Sequence, residues 1–137
     1  MISTDANETS NPWGGALDSS AMLAWLFREP GGTEVESALP AIISAVNLTE
    51  VLIVGVRRGL TAEEVQAALL DLPLTVVPYE RSDALAAAIL HTRSRKHGLS
   101  LADCICITLG AKYGLPVLTA DSSWAEAEAP AVIRLIR

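Results

Sequence analysis

The apolar positions of this chain come in short bursts separated by polar, proline and glycine breaks. Their spacing alternates between that of a strand and that of a helix, which is the first guide to secondary structure. A short strand ends near Asp18, and a helix follows from about Ser20 to Arg28, stopped by Glu29-Pro30-Gly31-Gly32. A second short helix covers roughly Thr33 to Leu39. Pro40 opens the strand AIIS, and Ser44 then caps a helix that runs to Arg58 and ends at Gly59. Thr61 begins another helix, with Glu63 and Glu64 in its first turn, where acids suit the helix dipole. The β-branched run LTVVP reads as a strand. A helix from about Arg81 to His97 stops at Gly98, and Ser100 caps the next, which ends at Gly114. PVLTA is a strand, DSSWAEAE a short helix and AVIRLI the last strand.

Strands alternating with helices predict an α/β fold with a mostly parallel sheet of about five short strands. Right-handed crossovers bring the strand C-termini to one edge, and ligands of such folds bind there. Asp18 and Asp121 each follow directly on a strand end, so both are expected at that edge. The chain has 137 residues, which suits one domain, with no internal boundary, repeat or low-complexity tract. Residues 1–14 are polar and acidic and are expected to form a flexible tail ahead of a domain over 15–137.

Composition narrows the class. The longest apolar stretch, around residues 41–56, is broken by Asn47, Thr49 and Glu50. It falls short of the roughly 20 apolar residues a membrane span needs. With no signal-like start, a cytoplasmic protein is expected. The two cysteines, Cys104 and Cys106, lie two apart on a helix with no second pair, so they read as buried free thiols rather than zinc ligands. The net charge of −6 argues against a general nucleic-acid binder. Local field matters more than net charge, however. His91, Arg93, Arg95, Lys96 and His97 fall within seven positions, and the two histidines read as solvated surface.

The chemistry lies in four carboxylates. Asp18 in ALDSSAMLAWLF, Asp103 in LSLADCICITLG and Asp121 in VLTADSSW each sit where an apolar run turns into a helix. Each has a structural alternative: Asp18 and Asp121 suit an N-cap or Asx turn, and Ser100-x-x-Asp103 is a capping box. Glu50 is harder to explain so, because Val46, Val51, Leu52, Ile53 and Val54 surround it. Asn47 lies one turn earlier on the same helix face. Buried charges are costly unless paired or bound to a cation. Four acids gathered at one point suit Mg²⁺ or Mn²⁺ and polyphosphate chemistry.

Rival acidic sites fit less well. A phosphoaspartate phosphatase would place a second Asp two residues after Asp18, where Ser20 stands. No Lys follows Lys112 to complete a receiver-type site, and there is no GxxxxGK or GxGxxG loop. Ser19 and Ser122 have no histidine placed to activate them.

The stretches LDSSAMLAWLFREPG, ISAVNLTEVLIVGVRRG, LSLADCICITLGAKYGLPVLTADSSW and VIRLI resemble, in order, a PIN-domain protein of the VapC toxin type. The resemblance covers roughly residues 15–137 and implies a small α/β/α sandwich with metal-dependent ribonuclease activity. It implies that Asp18, Glu50, Asp103 and Asp121 form the metal site, with Ser19, Thr119 and Asn47 in support. It also implies a VapB-type antitoxin and a homodimer. Arg93, Arg95 and Lys96 are expected to guide the RNA backbone. Trp25 is the expected antitoxin contact, while Met22, Leu23, Leu26 and Phe27 suit either core or groove. Two departures stand out: Gly14-Gly15-Ala16 is a poor strand, and Trp124 occupies a place where some relatives carry a further acid. The alternatives are a non-catalytic PIN-like binding module and a phosphohydrolase acting on small phosphate esters.

Overall fold

A computed structural model describes residues 11–137. The elements run β1 (Ala16–Leu17), α1 (Ser19–Leu26), α2 (Gly32–Ala38), β2 (Ala41–Ser44), α3 (Ala45–Arg57) and α4 (Ala62–Leu70). There follow β3 (Leu74–Val77), α5 (Arg81–Arg93), α6 (Leu101–Tyr113), β4 (Val117–Thr119) and β5 (Ile133–Leu135). Two 3-10 turns, Arg95–His97 and Ser122–Glu126, come before α6 and after β4.

The five strands pair in parallel in the order β3-β2-β1-β4-β5. Side chains alternate across the sheet, so each strand feeds two cores. Ala16, Ile42 and Val117 face the layer of α5 and α6. Leu17, Ile43 and Leu118 face the layer that contains α1, α2 and α4. The result is the expected α/β/α sandwich. Successive strands step from β1 to β2 to β3 on one side, then cross to β4 and β5 on the other. In folds of this kind ligands bind where the strand order reverses, here beyond the C-terminal ends of β1 and β4.

The shortest strand is the central one. Gly14-Gly15-Ala16 has low strand propensity, yet the backbone is tied on both sides: Ala16 N–H donates to Pro116 O at 2.9 Å and Asp18 N–H to Leu118 O at 3.0 Å, while Ile42 N–H donates to Gly15 O at 3.0 Å. The glycines are there for close approach. A Cβ on Gly14 would stand 2.2 Å from Ala38 O, and one on Gly15 would stand 2.6 Å from the Leu118 side chain. Asp18 is therefore held firmly in place. Of the expected tail, residues 1–10 lie outside the described residues. Asn11 and Trp13 pack onto Tyr113, the first donating from Nδ2 to its carbonyl at 2.9 Å and the second stacking edge-on at 5.7 Å.

The local signals land as read. Ser44 accepts from Val46 N–H, and Thr61 and Ser100 form capping boxes with Glu64 and Asp103. Three elements differ. The helix expected from Arg81 to His97 ends at Arg93, because the buried Ser94 turns its hydroxyl back onto Leu90 O at 2.7 Å and the chain tightens into the 3-10 turn. DSSWAEAE forms a 3-10 turn over Ser122–Glu126 rather than an α-helix. The first helix closes at Leu26, and Arg28 takes a positive φ of 54°.

Candidate metal centre

The C-terminal edge of the sheet collects the four acids from four elements. Asp18 follows β1, Glu50 stands in α3, Asp103 opens α6 and Asp121 follows β4. They are graded in depth: Asp18 is only 4% exposed, Glu50 and Asp103 are half-buried, and Asp121 is exposed at the mouth.

Asp18 occupies the N-cap position of α1, but its side chain makes no capping hydrogen bond there. Its Oδ2 instead accepts from Ser20 Oγ at 2.6 Å and Thr119 Oγ1 at 2.9 Å. The same hydroxyls hold the neighbouring strand end: Ser20 Oγ accepts from Ala120 N–H at 2.9 Å and Thr119 Oγ1 from Asp121 N–H at 3.1 Å. This corrects one expectation. Ser20, not Ser19, is the supporting hydroxyl. Ser19 opens the helix and offers Asp18 only its backbone N–H, whereas Ser20 reaches across to β4. Thr119 Oγ1 donates to the same Asp18 oxygen.

Asp103 and Asp121 do serve the structural roles the sequence allowed, but each uses one oxygen for it. Asp103 Oδ2 accepts from Ser100 N–H at 2.9 Å. Asp121 Oδ1 accepts from the Ser123 backbone N–H at 2.9 Å and from its hydroxyl at 2.6 Å. Glu50 Oε1 accepts from Asn47 Nδ2 at 3.3 Å. In each of these three acids the second oxygen has no hydrogen-bond partner among the described residues.

The electrostatics agree that the acids face one another. Burial pushes the Asp18 carboxyl up to about 6; the Ser20 and Thr119 hydroxyls work against this, and the Asp103 charge adds to it. Burial also raises Asp103, with further repulsion from Asp121 and Glu50. Cys106, fully buried behind them, is pushed well up by burial and then by Asp18, Asp103 and Glu50. Both cysteines are buried and free, as expected. The described ion pairs serve Glu29 and Asp83 and none of these four acids.

Among the described residues, no group of three or more acids, histidines or cysteines stands close enough together to hold a metal ion as the side chains are placed. The acids are near enough to repel yet open toward the mouth. The donor set is nonetheless all hard oxygen, with no side-chain cation paired to it among the described residues, and that suits a Mg²⁺- or Mn²⁺-type ion that keeps part of its water shell.

Arg93, Arg95 and Lys96 are exposed, on the last turn of α5 and in the 3-10 turn after it. That turn packs against the Ser122–Glu126 turn, which begins just after Asp121. Trp124 is fully buried in the α5–α6 core. Trp25 is half-buried, donates from Nε1 to Glu36 Oε1 at 3.1 Å, and lines a cavity of about 320 Å³ with Leu26, Arg28, Glu36 and Ala68. Met22 and Leu23 belong to the core, while Leu26 and Phe27 are partly exposed. No described helix is long and apolar enough to cross a membrane.

The model of the PIN domain family matches residues 16–130. No curated protein matches the chain significantly. Among solved structures, a toxin–antitoxin complex from Klebsiella pneumoniae is similar with a TM-score of 0.70 at 14% identity, covering 90% of this chain and 98% of that one. DNA-bound VapBC from Salmonella typhimurium gives 0.67 at 18%, covering 89% and 97%. VapBC-5 from Mycobacterium tuberculosis gives 0.60 at 23%, covering 90% and 97%. At these identities the likeness to the solved structures is one of fold.

Proposed function

The chain belongs to the PIN domain family, and from that premise we propose that it is the toxin of a type II toxin–antitoxin pair, a ribonuclease dependent on Mg²⁺ or Mn²⁺. The observation that carries the reading is the buried Asp18, set against Asp103 with Glu50 and Asp121 beside it and, among the described residues, no side-chain cation paired with them. The domain spans residues 15–137, and the protein works in the cytoplasm, where its RNA is.

Asp18, Asp103 and Asp121 would hold the ion, with Glu50 as a further oxygen donor. An ion held there would supply Lewis-acid chemistry toward a water and the RNA phosphodiester. Ser20 and Thr119 fix the Asp18 carboxylate through one oxygen and so fix the direction of the other. The α6 N-terminus beneath Asp103 adds partial positive charge where the phosphate approaches. Arg93, Arg95 and Lys96 offer the RNA backbone a basic track beside the mouth.

The similar folds include toxin–antitoxin complexes, which supports a cognate antitoxin of VapB type. The surface around Trp25 is its docking place, and a homodimer is the working unit.

The test is cleavage of total cellular RNA by the purified protein with Mn²⁺ or Mg²⁺ against EDTA, with Asp121→Asn as control and cut ends mapped by sequencing. Metal-dependent cuts at a few positions, lost in the variant, are expected. Turnover of nucleotide monophosphates without RNA cleavage would replace the ribonuclease with a phosphohydrolase. Partner binding with neither activity would leave a binding module.

A further inference from the structure

Helices α5 and α6 and the stretch before β5 enclose an open groove of about 770 Å³, and none of the four site acids lines it. Its lining is mostly apolar: Ala86, Ile89 and Leu90 of α5, Ala111 of α6, and Ala129 and Pro130. Ile89 is 46% exposed, so α5 carries apolar surface that the core leaves uncovered. Contiguous apolar surface of this kind marks a docking place.

Position, reach and charge name the occupant. Asn11 and Trp13 are fixed on Tyr113, at the end of α6. Lys112, the next residue back, holds its Nζ 5.8 Å from the Tyr113 ring centroid and 3.1 Å from Asp83, and both Lys112 and Asp83 line the groove. Gly114 lines a second cavity of about 380 Å³ that shares Ala111 and Pro130 with the groove. The point from which residues 1–10 extend therefore lies at one end of the groove. Arg93, at the far end of α5, is ten residues from Asp83, about 15 Å along the helix. Asp5 is six residues before Asn11, a reach of up to about 20 Å. Residues 1–10 contain Asp5 and Glu8 and no Lys or Arg. In the groove Lys112 and Asp83 offset each other, Glu128 is the remaining acid, and Arg93 has no ion-pair partner among the described residues. Residues 1–10 also precede the part of the chain that the PIN domain model matches, so family membership says nothing of them.

We propose that residues 1–10 dock in this groove, with Met1 and Ile2 against Ile89 and Leu90 and with Asp5 facing Arg93. Arg93 is also one of the three cations offered to RNA, so the docked segment competes with RNA for it. That consequence rests on the ribonuclease reading, whereas the docking does not.

Paramagnetic broadening in the full-length chain tests the docking with neither RNA nor metal present. A nitroxide is attached at Ser3→Cys; Cys104 and Cys106 are buried and stay unlabelled. The amide signals of Ala86, Ile89 and Ala111 are expected to broaden, and those of α4, in the opposite layer, to stay sharp. Mixing spin-labelled protein with separate ¹⁵N-labelled protein is expected to leave all of them sharp. Ile89→Glu, at an exposed position, is expected to restore the lost intensity, and Asp5→Asn with Glu8→Gln to restore part of it. Sharp groove signals in the singly labelled chain overturn the proposal and leave the groove to another protein. Broadening that appears in the mixed sample assigns the groove to a second copy and overturns it too. Broadening that survives Ile89→Glu places the segment elsewhere.

Discussion

Replacing Asp18 with Asn should make the metal-free protein more stable while abolishing its activity, and the gain should depend on pH. The Asp18 carboxyl is raised from 3.8 to about 6 by burial. Its folded value lies above its unfolded one, so the native state holds the proton more tightly. The stability this gives is complete below pH 3.8 and is lost as pH rises through 6. At pH 7.5 the ionised form therefore costs about 3 kcal/mol relative to a neutral group, and at pH 4.5 about 1 kcal/mol. Asn is neutral at both, but it weakens one of the two hydroxyl contacts from Ser20 and Thr119, a loss of about 1 kcal/mol that does not vary with pH. The net expectation is a gain of about 2 kcal/mol at pH 7.5 and almost none at pH 4.5. For a domain of this size that is roughly 8 °C in Tm at the higher pH. The assay is thermal unfolding in EDTA at both pH values, wild type against Asp18→Asn. Mn²⁺ at a hundred times its Kd should then restore about 2.7 kcal/mol to the wild type and much less to the variant. A variant that loses stability at pH 7.5, or gains equally at both pH values, would refute the argument that desolvation governs this acid.

Three further outcomes follow from the same geometry. Ser20→Ala should lower stability by about 1–2 kcal/mol and weaken Mn²⁺ binding, because its hydroxyl serves both Asp18 and Ala120, while Ser19→Ala should be nearly silent; equal effects in calorimetry and melting would return the supporting role to Ser19. Neutralising Arg93, Arg95 and Lys96 together should weaken RNA binding and flatten its log–log salt slope by about 2; an unchanged slope in filter binding takes them out of the RNA path. Trp25→Ala should lower antitoxin affinity by about 1–3 kcal/mol in a pull-down or calorimetric titration, and full-strength binding would move the docking surface elsewhere.

The elements set by neighbouring residues were legible in the sequence. Ser44, Thr61 and Ser100 announced their helices because a cap is a contact across two or three positions, and Asp103 could be read at once as a cap and as a site acid. The alternation of strand and helix was enough for the parallel α/β class, and the resemblance in LDSSAMLAW, NLTEV, LADCI and LTADSSW brought the four acids into view together. Other features needed partners far along the chain. The helix after β3 breaks at Ser94 because that hydroxyl is buried against the Cys104 side of α6, a fact that periodicity through Arg93–His97 does not carry. Strand β1 is too short and too glycine-rich to be a strand by propensity, and it persists because β2 and β4 bond it from both sides. Whether Ser19 or Ser20 supports Asp18 was decided by Thr119, 99 positions from Ser20, once β4 paired beside β1. The sequence by itself determined which residue types could hold a cation and where helices begin, because those depend on local chemistry. Only the tertiary structure decided how deeply each acid is buried and which hydroxyl meets it, because those depend on the strand order that brings distant turns to one edge.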